Sequence, residues 1–198
     1  MRRMKGLGLG LVLILASISH SATWGEFKGT VRAEWLDDGR RMRLLDEFQY
    51  IDPLGEKWVA SKGSVIDGAS IPRVFWSFVG GPFEGKYRYA SVVHDVACLE
   101  RKRSWRKVHQ MFYGAARLGG VGEVSGKTIY GAVYHFGPRW ENPPAYALQD
   151  DADFLRMREY IRRNSAISLE AIEKLTREFL RDVIPEVPRP TRIPADDK

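Results

Sequence analysis

The strongest constraint on the fold of this chain is a pair of helical patterns joined by a very short connection. Apolar residues recur at helical spacing over residues 87–100 and again over residues 105–118. Only the basic segment 101–103 and Ser104, a favourable helix N-cap, separate the two patterns. Helices with so short a connection pack side by side and antiparallel. The sequence therefore predicts a helical hairpin.

The inner faces of this predicted hairpin carry two histidines. His94 falls on the apolar stripe of the first helix, and His109 falls on the stripe of the second. At ~1.5 Å of rise per residue, both lie about two turns from the connection. We therefore expect the two imidazoles to face each other. Asp95 is rotated by ~100° from His94 and is expected at the edge of the buried face.

The residues before the hairpin have the alternation of β-strands. Residues 27–35 place Phe27, Val31, Ala33 and Trp35 on one face, and residues 42–51 form the expected return strand of a hairpin. Shorter strands are expected at residues 57–60 and 64–66. These patterns predict an antiparallel meander with one covered face.

A third helix is expected after the hairpin, from a Ser125 cap to Phe136, with His135 off its apolar stripe and therefore peripheral. The composition changes after Trp140, and two charged amphipathic helices are expected at 150–163 and 168–183. In the second of these two helices, the predicted apolar stripe consists of Ile172, Leu175, Phe179 and Val183.

The fold class predicted from these patterns is α+β: an N-terminal antiparallel sheet, a helical hairpin with a third helix, and a C-terminal helical extension. We expect an α+β domain at residues 22–140, the helical extension at 141–184, and a disordered proline-rich tail at 185–198.

The N-terminal residues have the pattern of a secretory signal peptide. Three basic residues among the first five precede an uncharged apolar run at 6–18, shorter than the ~20 residues of a membrane span. Ser19 and Ser21 are suitably spaced small residues for cleavage. We expect a signal peptide at residues 1–21 and a periplasmic or secreted protein. The alternative is an inner-membrane protein anchored by this segment uncleaved.

Charge and cysteine usage narrow the function classes. Loss of the three basic residues in the signal peptide lowers the formal net charge from +6 to +3, which together with export argues against nucleic acid as a partner. An envelope component or a lipid is the candidate partner. Cys98 is the single cysteine of the chain, so no intrachain disulfide can form.

His94, Asp95 and His109 are the candidate catalytic residues. Imidazole acts as a general base near neutral pH, and a neighbouring carboxylate can hold a hard cation such as calcium. Asp95 and Asp67 are the candidate ligands for calcium or another divalent cation. The alternative is that both histidines are satisfied core side chains. Cys98, one turn after His94, could join it at a zinc site or in a nucleophilic dyad, but a small buried apolar role is favoured.

The segment 67–73 and its neighbours carry a resemblance to a known family. The motif reads Asp67-Gly68-Ala69-Ser70-Ile71-Pro72-Arg73, followed by Tyr89-Ala90, His94-Asp95 and then Phe112 and Gly119. Over residues 27–138 the chain resembles the bacterial and phage domain-of-unknown-function family 1353. The resemblance implies a fold and an association with phage genomes. The motif residues expected to be structural are Asp67, Gly68, Ser70, Pro72 and Arg73.

A weaker likeness links the hairpin to phospholipases A2. There a histidine activates water, the next aspartate holds calcium, and an aspartate on the second helix orients the histidine. By this likeness His94 is the base and Asp95 the calcium ligand, while His109 stands where a carboxylate is expected. Two functions follow: an exported, non-enzymatic envelope or phage-derived structural or binding module, which is favoured, and a metal-assisted hydrolase using His94 and Asp95.

Overall fold

The computed structural model of the protein describes residues 24–68, 85–142 and 148–189. The predicted signal peptide, the motif residues Ser70, Pro72 and Arg73, and the end of the proline-rich tail lie outside the described residues. The strands are β1 (Glu26–Lys28), β2 (Ala33–Trp35), β3 (Met42–Leu44), β4 (Phe48–Ile51), β5 (Lys57–Ala60) and β6 (Val65–Ile66). The helices are α1 (Arg88–Glu100), α2 (Trp105–Leu118), α3 (Glu123–Phe136), α4 (Asp151–Arg163), α5 (Leu169–Glu173) and α6 (Arg177–Val183). None of these helices has the length and apolar character that crossing a membrane requires.

The strands confirm the α+β class and the antiparallel meander, but each predicted long strand is broken in two. The result is two three-stranded sheets, with strand orders β1-β4-β5 and β2-β3-β6. Gly29 lies at one break with φ +86, and a Cβ there would approach the Glu47 carbonyl oxygen to 2.8 Å. A residue without a side chain is therefore required at this bend.

The break also changes which residues of the first strand are buried. Phe27 packs against Phe48 and Tyr50 of the core, whereas Trp35 is 62% exposed. The expectation that Trp35 lies on the buried face was wrong. Its strand is at the edge of the second sheet, and helix α1 packs on β4, β5 and β6 instead.

Helices α1 and α2 form the predicted antiparallel hairpin. Ser104 caps α2 by accepting a hydrogen bond from the Lys107 backbone N–H at 3.4 Å. Arg101 ends α1 in the left-handed conformation, with φ 52. Gly119 ends α2 against the first turn of the hairpin, where a Cβ would lie 2.2 Å from the Lys86 carbonyl oxygen. The close approach fixes how the two helices meet at this end.

The N-cap of helix α3 is Gly122, three residues before the predicted cap Ser125, which lies buried in the first turns of the helix. The expectation that His135 is peripheral was also wrong, because its side chain is 0% exposed. Its Nε2–H donates to the Ile172 carbonyl at 2.9 Å, and the Leu148 N–H donates to its Nδ1 at 3.4 Å. Helices α4 and α5 cover the face of α3 that the sequence left open.

The second helix of the C-terminal extension is divided into α5 and α6, with Thr176 capping α6. The division shifts the buried stripe. Phe179 and Val183 are 40% and 38% exposed, and Leu180 and Ile184 are buried in their place. The prediction of Phe179 and Val183 as core residues was therefore wrong, because a continuous helical period does not run through the break.

Candidate functional site

The two histidines of the hairpin meet as predicted. His94 Nε2 lies 2.9 Å from His109 Nδ1, and both side chains are 0% exposed. Phe112 packs on the His94 ring with centroids 4.5 Å apart, and Trp105 packs on the His109 ring at 5.7 Å. The imidazole pair therefore lies in an aromatic environment with no direct contact with solvent.

A backbone carbonyl fixes the hydrogen positions of this pair. His109 Nε2 lies 3.2 Å from the Pro138 carbonyl oxygen, which can only accept a hydrogen bond. His109 therefore carries its proton on Nε2 and has a lone pair on Nδ1. That lone pair accepts from the Nε2–H of His94, which leaves the lone pair of His94 on Nδ1.

Burial keeps both histidines neutral. Desolvation lowers the pKa of His109 to about 3, although the hydrogen bond to Pro138 acts in the opposite direction. Desolvation also lowers the pKa of His94 well below its ordinary value, and the neighbouring His109 adds to that effect. Neither ring is set up to take a proton from water near neutral pH, since the protonated form of each is strongly disfavoured.

Cys98 completes a cluster of three soft or borderline ligand atoms. Its Sγ lies 3.6 Å from His94 Nε2 and 3.9 Å from His94 Nδ1. One ligand atom from each of His94, Cys98 and His109 falls within 4.8 Å of the others, and all three residues are buried. The sequence signals for this cluster were the spacing of four residues between His94 and Cys98 and the predicted contact of His94 with His109, although the sequence analysis did not combine the three residues in one site.

The Asp95 carboxylate forms hydrogen bonds with the backbone of Asp67 and Gly68, the first two residues of the sequence motif. Its Oδ2 accepts hydrogen bonds from the backbone N–H of Asp67 at 3.2 Å and of Gly68 at 2.7 Å, and the side chain is 3% exposed. The Asp67 carboxylate points to Arg40, with Oδ2 3.4 Å from Nη2. Each predicted calcium ligand therefore has one carboxylate oxygen committed to another protein group.

A cleft of about 370 Å³ opens beside these residues. Its wall includes both predicted calcium ligands and one edge of the three-residue cluster, while His94 is not among its lining residues. Leu99 on this wall is 70% exposed. The lining residues are Arg41, Val65, Ile66, Asp67, Asp95, Cys98, Leu99, Arg101 and Pro138. Sequence reasoning missed Leu99 and Arg101, because residues at a helix end carry no periodic signal of a cleft.

Comparisons with known proteins agree with the sequence resemblance. Residues 42–133 match the family model described as "Protein of unknown function (DUF1353)". The uncharacterized protein y4jT of Sinorhizobium fredii (strain NBRC 101917 / NGR234) is 40% identical over 138 residues, which cover 67% of this chain and 41% of that protein. The uncharacterized protein y4iH of the same strain is 39% identical over 103 residues, covering 52% of this chain and 43% of that protein. The chain thus spans about two fifths of the length of these relatives. No solved structure matches the chain significantly.

Proposed function

Residues 42–133 belong to the family of unknown function DUF1353, and on that premise we propose that the chain is an exported, non-enzymatic binding module. Its ligand is an anionic amphiphile of the cell envelope, held in the cleft at the end of helix α1. Residues 1–21 serve as the signal peptide in this proposal, and the mature protein is periplasmic or secreted. Its origin is a phage-associated gene of the same family.

The observation that carries the proposal is the enclosure of His94. A hydrolytic base must offer a lone pair to water or substrate within hydrogen-bond reach. His94 is 0% exposed, uses Nε2 in the bond to His109, and has a pKa far below neutrality. Asp95 holds two backbone amides with the oxygen that a calcium ion would need. The geometry thus supports a structural role for these residues over the phospholipase-like alternative.

The exposed charges around the cleft favour an anionic ligand, because the Asp95 carboxylate on its wall is only 3% exposed and accepts two backbone N–H groups. Arg41 is paired with Asp38, and Asp67 is paired with Arg40. Arg101 takes part in no ion pair among the described residues and stacks on Trp140, with 5.9 Å between its guanidinium carbon and the ring centroid. The guanidinium of Arg101 is therefore available to bind an anion beside the exposed apolar side chain of Leu99. The phosphate of a lipid can pair with this guanidinium while the first methylene groups of its chains contact Leu99. The cleft volume is within the range of small-molecule sites.

The backbone at Arg101 supports a role for its side chain. A non-glycine residue in the left-handed region costs ~1–2 kcal/mol, and glycine is the usual residue at a helix end of this kind. Strained residues cluster at functional sites. Replacement by glycine should relieve this cost, less the ~0.5–1 kcal/mol entropic penalty of glycine itself.

The test measures binding of a soluble short-chain phosphatidylglycerol to the mature protein by calorimetry. We expect wild type to bind it in preference to short-chain phosphatidylcholine. Arg101→Gly should lose this binding while gaining about 0.5–1 kcal/mol in stability. Lys102→Gln, which removes the adjacent positive charge, is the matched control and should bind as wild type does.

Two results would contradict the proposal. Equal binding by wild type and Arg101→Gly would show that the cleft end of α1 is not the binding site. Release of fatty acid from either lipid by wild type, abolished in His94→Asn, would establish the hydrolase instead.

A further inference from the structure

We propose that His94, Cys98 and His109 form a zinc-binding site inside the helical hairpin. Two ligands come from one face of α1, four residues apart, and the third comes from the facing side of α2. The site is separate from the binding of an anionic ligand proposed above, because it uses the interior of the hairpin and not the charged rim of the cleft.

One of the three distances between ligand atoms matches tetrahedral zinc, a second is about half an ångström short, and the third lies within 4.8 Å. With zinc–nitrogen bonds of about 2.0–2.1 Å and a zinc–sulfur bond of about 2.3 Å, tetrahedral angles place nitrogen and sulfur about 3.6 Å apart. His94 Nε2 and Cys98 Sγ are 3.6 Å apart. The same geometry places two nitrogens about 3.4 Å apart. His94 Nε2 and His109 Nδ1 are 2.9 Å apart, so a movement of about half an ångström opens the pair for the ion.

The hydrogen bond of His109 to Pro138 is the kind that orients a metal ligand. Metal-binding histidines generally donate their second N–H to a carbonyl or carboxylate, which fixes the tautomer and the ring orientation. His109 donates Nε2–H to the Pro138 carbonyl and directs its Nδ1 lone pair toward His94 Nε2, with Cys98 in the same cluster. One ligand is therefore already in the tautomer that zinc requires.

Binding changes the protonation of the other two ligands. The thiol of Cys98 releases its proton to solvent, because a thiol bound to zinc is deprotonated. His94 changes tautomer as the ion enters past Cys98 from the cleft: it carries its hydrogen on Nδ1 in place of Nε2, so Nε2 gains the lone pair that coordinates the ion. One Zn²⁺ enters and one proton leaves, and the ion neutralises the buried thiolate.

The donor set selects the class of metal. A thiolate and two imidazoles are soft and borderline ligands, which suit zinc and not the hard cation calcium. Cys98 also lines the cleft, which gives the ion a path to the cluster. Three protein ligands leave one tetrahedral position, which water fills in zinc sites of this composition.

The test uses tag-free mature protein stripped with a chelator and titrated with Co²⁺ as a spectroscopic substitute for zinc. We expect one equivalent to produce tetrahedral cobalt bands with a thiolate-to-cobalt charge-transfer band, which excess zinc removes. Because the chain has one cysteine, this band identifies Cys98 as the ligand. Zinc at ~100 times its Kd should raise Tm by roughly 5–10 °C.

Matched variants distinguish a loss of zinc binding from a loss of the folded structure. Cys98→Ser keeps the side-chain shape and should abolish the charge-transfer band and the zinc-dependent rise in Tm. His109→Asn should raise the Kd for cobalt and for zinc at least tenfold. His135→Asn replaces the other buried histidine of the described chain and should retain the wild-type cobalt spectrum.

Absence of the charge-transfer band in folded wild type would overturn the zinc site. An equal rise in Tm with zinc in wild type and Cys98→Ser would also overturn it, because zinc would then bind elsewhere. An equal rise with calcium and zinc would point to the carboxylate site at Asp95 and not to this cluster.

Discussion

Replacing Asp95 should separate a structural carboxylate from a metal-binding one. Its Oδ2 is the acceptor for two backbone N–H groups, those of Asp67 at 3.2 Å and Gly68 at 2.7 Å. In Asp95→Ala both amides lose that acceptor. The Gly68 amide is buried and cannot turn to water, whereas the Asp67 amide is partly accessible.

The magnitude follows from this difference in accessibility. A hydrogen bond to a charged acceptor contributes about 1.5–3 kcal/mol when the donor is buried, and about 0.5–1.5 kcal/mol is typical where water can substitute. Asp95→Ala should therefore lower the free energy of unfolding by about 2–4 kcal/mol. Asp95→Asn retains one acceptor oxygen of the same shape and should lose about half as much.

The assay is equilibrium urea unfolding of the mature protein in the presence of a chelator. At an m-value of ~2 kcal/mol/M, Asp95→Ala should lower the urea midpoint by roughly 1–2 M with m unchanged. Asp67→Asn is the control, because it breaks only the exposed pair with Arg40 and should cost less than ~1 kcal/mol. A loss below ~1 kcal/mol in Asp95→Ala, or destabilisation only when calcium is present, would refute the structural role.

Two further predictions concern the buried polar groups of the C-terminal half. Burial lowers the pKa of His135 from 6.5 to about 4, so the folded state favours its neutral form. The stability it supports is fully present above pH 6.5 and is lost as the pH falls from 6.5 toward 4, because the unfolded chain takes up the proton first. His135→Asn should reduce the loss of stability between pH 7.5 and 5.5 by about 1.4 kcal/mol, and an unchanged pH dependence in urea titrations would contradict this. Glu173 is 5% exposed and accepts from Tyr130 Oη and Arg106 Nε, so Glu173→Ala should cost about 2–4 kcal/mol in the same assay. Glu100→Ala breaks a surface pair with Lys102 and should cost less than ~1 kcal/mol; equal losses in both variants would show that the buried network contributes nothing special.

The helical hairpin and its facing histidines could be predicted because local rules determine them. Helical period fixes which face of each helix is apolar, and a connection of three or four residues forces the two faces together. The distance of each histidine from the connection then fixes its height along the hairpin. These inputs all lie between Arg88 and Leu118 in the sequence, and the contact between His94 and His109 is confirmed at 2.9 Å.

The environment of His135 could not be predicted in this way. The residues that share its face of α3 are small or polar, and such a face by itself indicates exposure to solvent. In the structure small residues on that face allow close packing, and at Gly131 a Cβ would lie 2.7 Å from Met157 Sδ of helix α4. The polar histidine is then satisfied by backbone groups of residues 148 and 172. A small polar face can therefore be an interface when later segments of the chain supply the packing and the hydrogen bonds.

The same reasoning explains why the role of Asp95 was harder to read than its position. Its place beside His94 on a buried helix is a local property, and the structure shows it there. A buried carboxylate must be satisfied, but the sequence does not say whether by a cation or by N–H donors. The donors are backbone amides 27 and 28 residues earlier in the chain, and every non-proline residue has such an amide. No side-chain pattern can distinguish those two amides from any others. The calcium hypothesis and the structural one were therefore equivalent at the level of sequence, and unfolding of Asp95→Ala with a chelator and with calcium is the measurement that separates them.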